Sequence, residues 1–188
     1  MNFTLLQQTD IPDLAPVYGG ARGRTMSSRH QANAWGTLQE AGVETIIDLR
    51  EKDTTARLTD LCRLYDMRYF HYPVHTMPET IKQMVVHFPE FCQHIDAGNF
   101  YIACAMGLHR TDIALCAYWM FYAADKGLQP PAIRGYREED GHNTDKINRV
   151  LNAMYQAFID CNGTAPIPMD VFKARKVTIK NLSIAEND

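Results

Sequence analysis

Between Phe100 and Gly127 the chain passes through three kinds of sequence in quick succession. FYIAC is a short, continuous apolar run rich in residues that favour strands, which predicts a buried strand. AMGLHR follows, a short loop with one glycine. RTDIALCAYWMFYAADKG is then apolar over several helical turns and ends at Gly127, which predicts a helix with a glycine stop. A buried strand that turns sharply into a helix is half of a βαβ unit. It restricts the chain to α/β folds built on parallel strands.

The flanks repeat the alternation. VETIIDL predicts a second buried strand and MRYFHYPV a third, halted near Pro73. Helices are predicted over SSRHQANAWGTLQEAG, capped by Ser27 or Ser28 and stopped at Gly42, and over TTARLTDLCRLYD, with Leu58, Leu61, Cys62 and Tyr65 on one face. PETIKQMVVHFPEFCQHIDAG is helical with a kink at Pro89 and a stop at Gly98. TDKINRVLNAMYQAFIDCNG is a last amphipathic helix, begun by a Thr or Asp cap. GGARGR, residues 19–24, reads as a loop, and QPPAIRGYREEDGHN as a connector of no assigned type. After Pro166 the sequence reads as a polar tail with one possible strand, KVTIK. The expectation is an α/β fold: a single domain over 1–165 and a polar C-terminal tail over 166–188. Its centre is a mainly parallel sheet of about four to five strands with helices on both faces. Ligands of such sheets bind beyond the carboxyl ends of the strands, which gathers the loops after Asp48, Val74 and Cys104.

With 188 residues the chain is long enough to bury one sizeable core, and 46% hydrophobic with 22% charged residues is a globular composition. A net charge of -3 gives no basic stripe for nucleic acid. No apolar stretch is long enough to cross a bilayer, and MNFTLLQQTD lacks the form of a signal peptide, so a cytoplasmic location is expected. The five cysteines, Cys62, Cys92, Cys104, Cys116 and Cys161, form no C-x-x-C pair. Reduced thiols are the expectation, without a disulfide framework or a metal site.

The loop after Cys104 suits an anion. The amides of Ala105, Met106, Gly107, Leu108, His109 and Arg110 can turn inward as a nest, and the next helix points its positive end at the same place. Arg110 adds a planar fork that can hold two phosphate oxygens. Helix N-termini and cations favour a thiolate, so a cysteine at the floor of such a bowl can attack phosphorus. The Thr111 hydroxyl can then stabilise the thiolate as it leaves. With five cysteines the bare spacing C-x5-R arises easily by chance. A buried core thiol is therefore the alternative, and strand, glycine, threonine and helix together favour the nucleophile.

CAMGLHRT resembles the signature loop of the cysteine-dependent tyrosine phosphatase superfamily, in particular its dual-specificity branch. Ala117-Tyr118-Trp119-Met120 is similar to a segment that this branch carries after its cysteine. IIDLRE, Ile46 to Glu51, resembles the family's Asp-Leu-Arg stretch, and YFHYPVHTMPET the segment with its general acid. The likeness covers about Val43 to Ala124. It implies a phosphotyrosine phosphatase-like fold and hydrolysis of a phosphomonoester through a phosphocysteine on Cys104. No cofactor is implied. The expected partner is a phosphorylated protein or a small phosphomonoester, with protein phosphotyrosine, phosphoserine or phosphothreonine favoured by the apolar Met106 and Leu108. Nucleic acid and membrane are not expected partners.

Two positions depart from the family pattern. Ala103 stands where the family usually has a histidine that helps hold the loop. The acid segment, PVHTMPE, has no aspartate. His109 and His75 are equal candidates for the acid, followed by Glu79. His109 is similar in place to an aspartate of myotubularin-like lipid phosphatases. Asp48 is expected to order Arg50 instead, and Asp112 to cap its helix. These departures keep a second reading open, a catalytically weak module that binds phosphate or a phosphoprotein. A third, sulfur transfer of the rhodanese type, fits the Arg-Thr ending poorly.

Overall fold

The computed structural model describes residues 1–26, 32–51, 55–135 and 145–185. These divide into two compact units, Met1–Pro73 with Pro89–Thr111, and Val74–Phe88 with Asp112–Asp188.

The first unit contains the sheet. Its strands are β1 (Ala15–Val17), β2 (Gly20–Arg24), β3 (Thr45–Asp48), β4 (Arg68–His71) and β5 (Phe100–Cys104). They lie in the order β1-β2-β5-β3-β4. All neighbours are parallel except β1 and β2, which form an antiparallel edge pair. The fold is thus α/β on a five-stranded, mainly parallel sheet, as expected. The two central strands, β5 and β3, are fully buried along their length. That explains why FYIAC and TIID are continuous apolar runs broken only at their chemical ends.

The remaining helices of this unit are α1 (Phe3–Leu6), α2 (Ala32–Glu40), α3 (Thr55–Leu64) and α5 (Phe88–Asp96). Trp35 of α2 is a core residue, and Tyr65, just past the end of α3, stacks on it at 6.0 Å. Leu58 and Cys62 of α3 are buried in the same cluster, with Leu61 packed against it. Tyr72 stacks on Phe91 of α5 at 4.3 Å. Ser27 and Ser28, the expected caps of α2, lie outside the described residues, as does Thr144.

GGARGR is a strand, not the expected loop. Glycine disfavours a strand unless something must come close, and here something does. A Cβ on Gly20 would lie 2.6 Å from the Phe100 ring, and one on Gly23 2.4 Å from the Tyr101 hydroxyl.

The second unit is helical. The segment PETIKQMVVHFPEFCQHID splits into α4 (Pro78–Val86) and α5, with His87 between them and a proline entering each first turn. The helix α6 (His109–Tyr118) continues into a π-helical turn, Trp119–Ala123, and a 3-10 turn, Ala124–Lys126, ending at Gly127 with φ 77°. Cys116 and Trp119 are core residues, as expected. After α7 (Asp145–Asn162) comes α8 (Met169–Ala185). KVTIK lies inside α8, so the expected strand is not found. Phe172 and Ile179, seven residues apart, bury one helical face. Phe172 stacks on Phe121 at 5.9 Å and meets Tyr155 at 4.5 Å. Arg175 donates to the Met120 carbonyl and to the Asp125 carboxylate. Among the described residues no helix is long and apolar enough to cross a membrane.

Candidate active site

Strand β5 delivers Cys104 to its carboxyl end, 3% exposed, and α6 begins at His109. The turn between them is tight, because the Gly107 amide donates to the Cys104 carbonyl at 3.2 Å. The same carbonyl also accepts the Thr25 amide at 2.9 Å, which ties the loop's floor to the end of β2.

Strand β2 is the platform of the loop. Gly107 has φ 73°, and a Cβ there would lie 2.4 Å from the Gly23 carbonyl carbon and 2.7 Å from the Arg24 nitrogen. Only glycine permits both the left-handed backbone and this approach. Arg22 is 2% exposed. Its Nη2 donates to the carbonyls of Gly107 at 3.1 Å and Leu108 at 3.3 Å. Arg24, in register beside Cys104, reaches the Met106 sulfur through Nη2 at 3.0 Å. Neither arginine was among the sequence-predicted site residues. The available signal was the alternation R-G-R, which puts two cations on one face of a strand.

Arg110, in the first turn of α6, meets the loop after β3. Its Nη2 donates to Glu51 at 2.8 Å, with both side chains about one-third exposed. The loops after Asp48 and Cys104 are thus brought together. Asp48 itself is 1% exposed and orders Arg50, taking Nε and Nη2 at 2.9 Å each and the Tyr69 hydroxyl at 3.1 Å. Thr111 is fully buried, and its hydroxyl makes no hydrogen bond among the described residues. His109, Met106 and Ala105 are exposed on the rim, Leu108 partly so.

Ala103 is 1% exposed and belongs to the apolar cluster that includes Ile11, Ala21 and Ile46. An imidazole there would enter that cluster, so the small residue follows from packing.

The segment carrying His75 and Glu79 belongs to the second unit. His75 accepts the Met77 amide on Nδ1 at 3.2 Å, so its neutral form carries the proton on Nε2. Glu79 is exposed in the first turn of α4, where an acid stabilises a helix in any case. Asp112 is fully buried, and its Oδ2 accepts the amides of Arg134 at 3.1 Å and Gly135 at 2.8 Å. It anchors the connector after α6 rather than only favouring the helix dipole.

Of the remaining thiols, Cys62, Cys92 and Cys116 are buried and Cys161 is exposed. Burial, with Asp48 adding to it, pushes the Cys62 thiol up to about 12, so it stays protonated at neutral pH. Among the described residues no group of three or more His, Cys, Asp or Glu side chains could hold a metal ion.

No protein-family model matches the chain, and no curated protein does. Among solved structures it is similar to the Yvh1 phosphatase domain from Chaetomium thermophilum. The identity is 15%, over 89% of this chain and 94% of that one, with a TM-score of 0.42. It is similar to a human DUSP28 variant at 15% identity, over 93% and 99% of the two chains, with a TM-score of 0.41. It is also similar to TpbA of P. aeruginosa at 15% identity, over 92% and 88%, with a TM-score of 0.40.

Proposed function

We propose that the chain hydrolyses a phosphomonoester through a phosphocysteine on Cys104. The observation that carries this reading is the seat of the thiol. Cys104 lies at the end of a buried strand, below a tight loop that opens a helix, with Arg110 in the helix's first turn. In the first step the Cys104 thiolate forms the S–P bond as the P–O bond to the substrate breaks, and a general acid protonates the departing oxygen. Arg110 and the helix amides hold the three phosphoryl oxygens. In the second step water attacks phosphorus and the S–P bond breaks, giving inorganic phosphate and the thiolate. The buried hydroxyl of Thr111, which has no hydrogen-bond partner among the described residues, donates to that thiolate.

Glu51 does not block this role for Arg110. The ion pair uses one Nη2, and a partly exposed pair is worth only about 0–1 kcal/mol. A phosphoryl group that meets both the fork and the helix amides outcompetes it. Protein phosphotyrosine, phosphoserine or phosphothreonine is the favoured substrate class, because the loop presents Met106, 50% exposed, with Leu108 beside it. Such a rim suits an aryl or protein surface better than a polyanion.

The second reading is a module that holds phosphate and turns it over weakly. It is favoured by the exposed helix-start position of Glu79 and by the absence of an aspartate around His75. Phosphate release from an aryl phosphate, measured beside the Cys104→Ser variant, separates the two. Release that depends on Cys104 supports the enzyme. Equal slow release with intact tungstate binding supports the module.

A further inference from the structure

We propose that Arg22 is a positioning residue for the anion site, acting from β2 on the loop eighty-five residues away. The inference deepens the phosphatase reading and rests on it for its kinetic arm.

Two successive carbonyls, those of Gly107 and Leu108, point at one buried guanidinium. In a trans peptide the C=O of one residue and the N–H of the next point in opposite directions. Pinning the Gly107 carbonyl on Arg22 therefore turns the Leu108 amide away from β2, and pinning the Leu108 carbonyl does the same for His109. Arg22 thus sets the direction of two adjacent N–H donors in the loop above Cys104. A loop of this length with a glycine at φ 73° has other peptide orientations open to it. The guanidinium selects one of them. It also supplies charge from below, since a buried cation is felt more strongly than one in water.

The platform around Arg22 is built for this contact. Gly23, the next residue, lets the Gly107 backbone come close. The Tyr101 hydroxyl donates to the Arg24 carbonyl at 2.7 Å, and the Thr25 amide donates to Cys104. These contacts follow Arg22 directly, and β2 is paired with β5 along its length, so the Arg22 side chain reaches the loop from a rigid base. Ala103 is part of the apolar cluster on the neighbouring strand, so the loop's polar support comes from β2.

The experiment compares wild type, Arg22→Lys and Arg22→Ala, each also in a Cys104→Ser background. Lysine keeps the charge but has no fork to span two carbonyls. Tungstate affinity by calorimetry in the Cys104→Ser background reads the loop donors without turnover. The expected result is binding about 10- to 100-fold weaker for Arg22→Lys, with the unfolding temperature nearly unchanged. kcat/KM on an aryl phosphate falls by a similar factor, and methylguanidinium restores part of the activity of Arg22→Ala. If Arg22→Ala does not fold, the lysine variant decides. Tungstate affinity within two-fold of the parent in folded Arg22→Lys overturns the proposal. Loss of tungstate binding in a chain with no Cys104-dependent turnover upholds Arg22 and removes the phosphatase reading instead.

Discussion

The sequence assigns phosphate binding to the loop after Cys104 and two of the three candidate acids to the segment after Val74, and the two stretches are built differently. The loop has a buried floor, a glycine wedged on Gly23, a buried arginine below it and a fully buried threonine behind it. The segment from His75 to Glu79 presents a half-buried imidazole and an exposed carboxylate at a helix start. Buried, hydrogen-bonded groups keep one geometry, whereas exposed side chains sample several. Phosphate binding should therefore be rigidly specified in this chain, and proton delivery should be the step that tolerates change.

The largest expected loss comes from the fork. Arg110→Lys should lower kcat/KM on an aryl phosphate by about 10²–10³-fold, because a point charge cannot hold two phosphoryl oxygens at once. A loss under about five-fold would place the arginine outside the anion site. Gly107→Ala comes next. The new Cβ meets backbone at 2.4 Å and the φ of 73° is strained for alanine. Tungstate affinity should fall about 10²-fold with a drop of several degrees in unfolding temperature. Unchanged binding would show that the loop can leave β2 without harm.

The acid half is expected to respond more mildly. Of His75→Ala, His109→Ala and Glu79→Gln, the variant that removes the proton donor should lose the basic limb of the pH–rate profile. For a poor leaving group the rate should fall by about 10²-fold, and for a good one much less. Three full profiles would mean that solvent supplies the proton and that the chain is tuned for binding. The smallest effect is reserved for Glu51→Gln. Releasing Arg110 from its ion pair should tighten phosphate binding by about two- to five-fold, read as competitive inhibition.

The same contrast governs what could be read from the sequence. Strands β3 and β5 are legible because a buried parallel strand must be apolar along its length. The Cys104 loop is legible because strand, glycine, arginine and helix are contiguous. Strand β2 was not, since Gly20 and Gly23 look like turn residues until Phe100, Tyr101 and Gly107 stand beside them. Arg22 was hidden for the same reason, its partners lying far along the chain. The helix α8 was misread because KVTIK alternates like a strand. Its true period appears only when Phe172 and Ile179 are seen buried on one face. Truncating that face, as in Phe172→Ala, removes a ring packed on Phe121 and Tyr155 and should cost about 3–5 kcal/mol of stability.

The central claim is that Cys104 carries the phosphoryl group, and acid-quenched mass spectrometry of the enzyme in the steady state tests it directly. The account predicts one phosphoryl adduct on the peptide containing Cys104, absent in Cys104→Ser and absent from Cys62 and Cys116. Turnover at the wild-type rate by Cys104→Ser, with no adduct on any cysteine of the wild type, would contradict it.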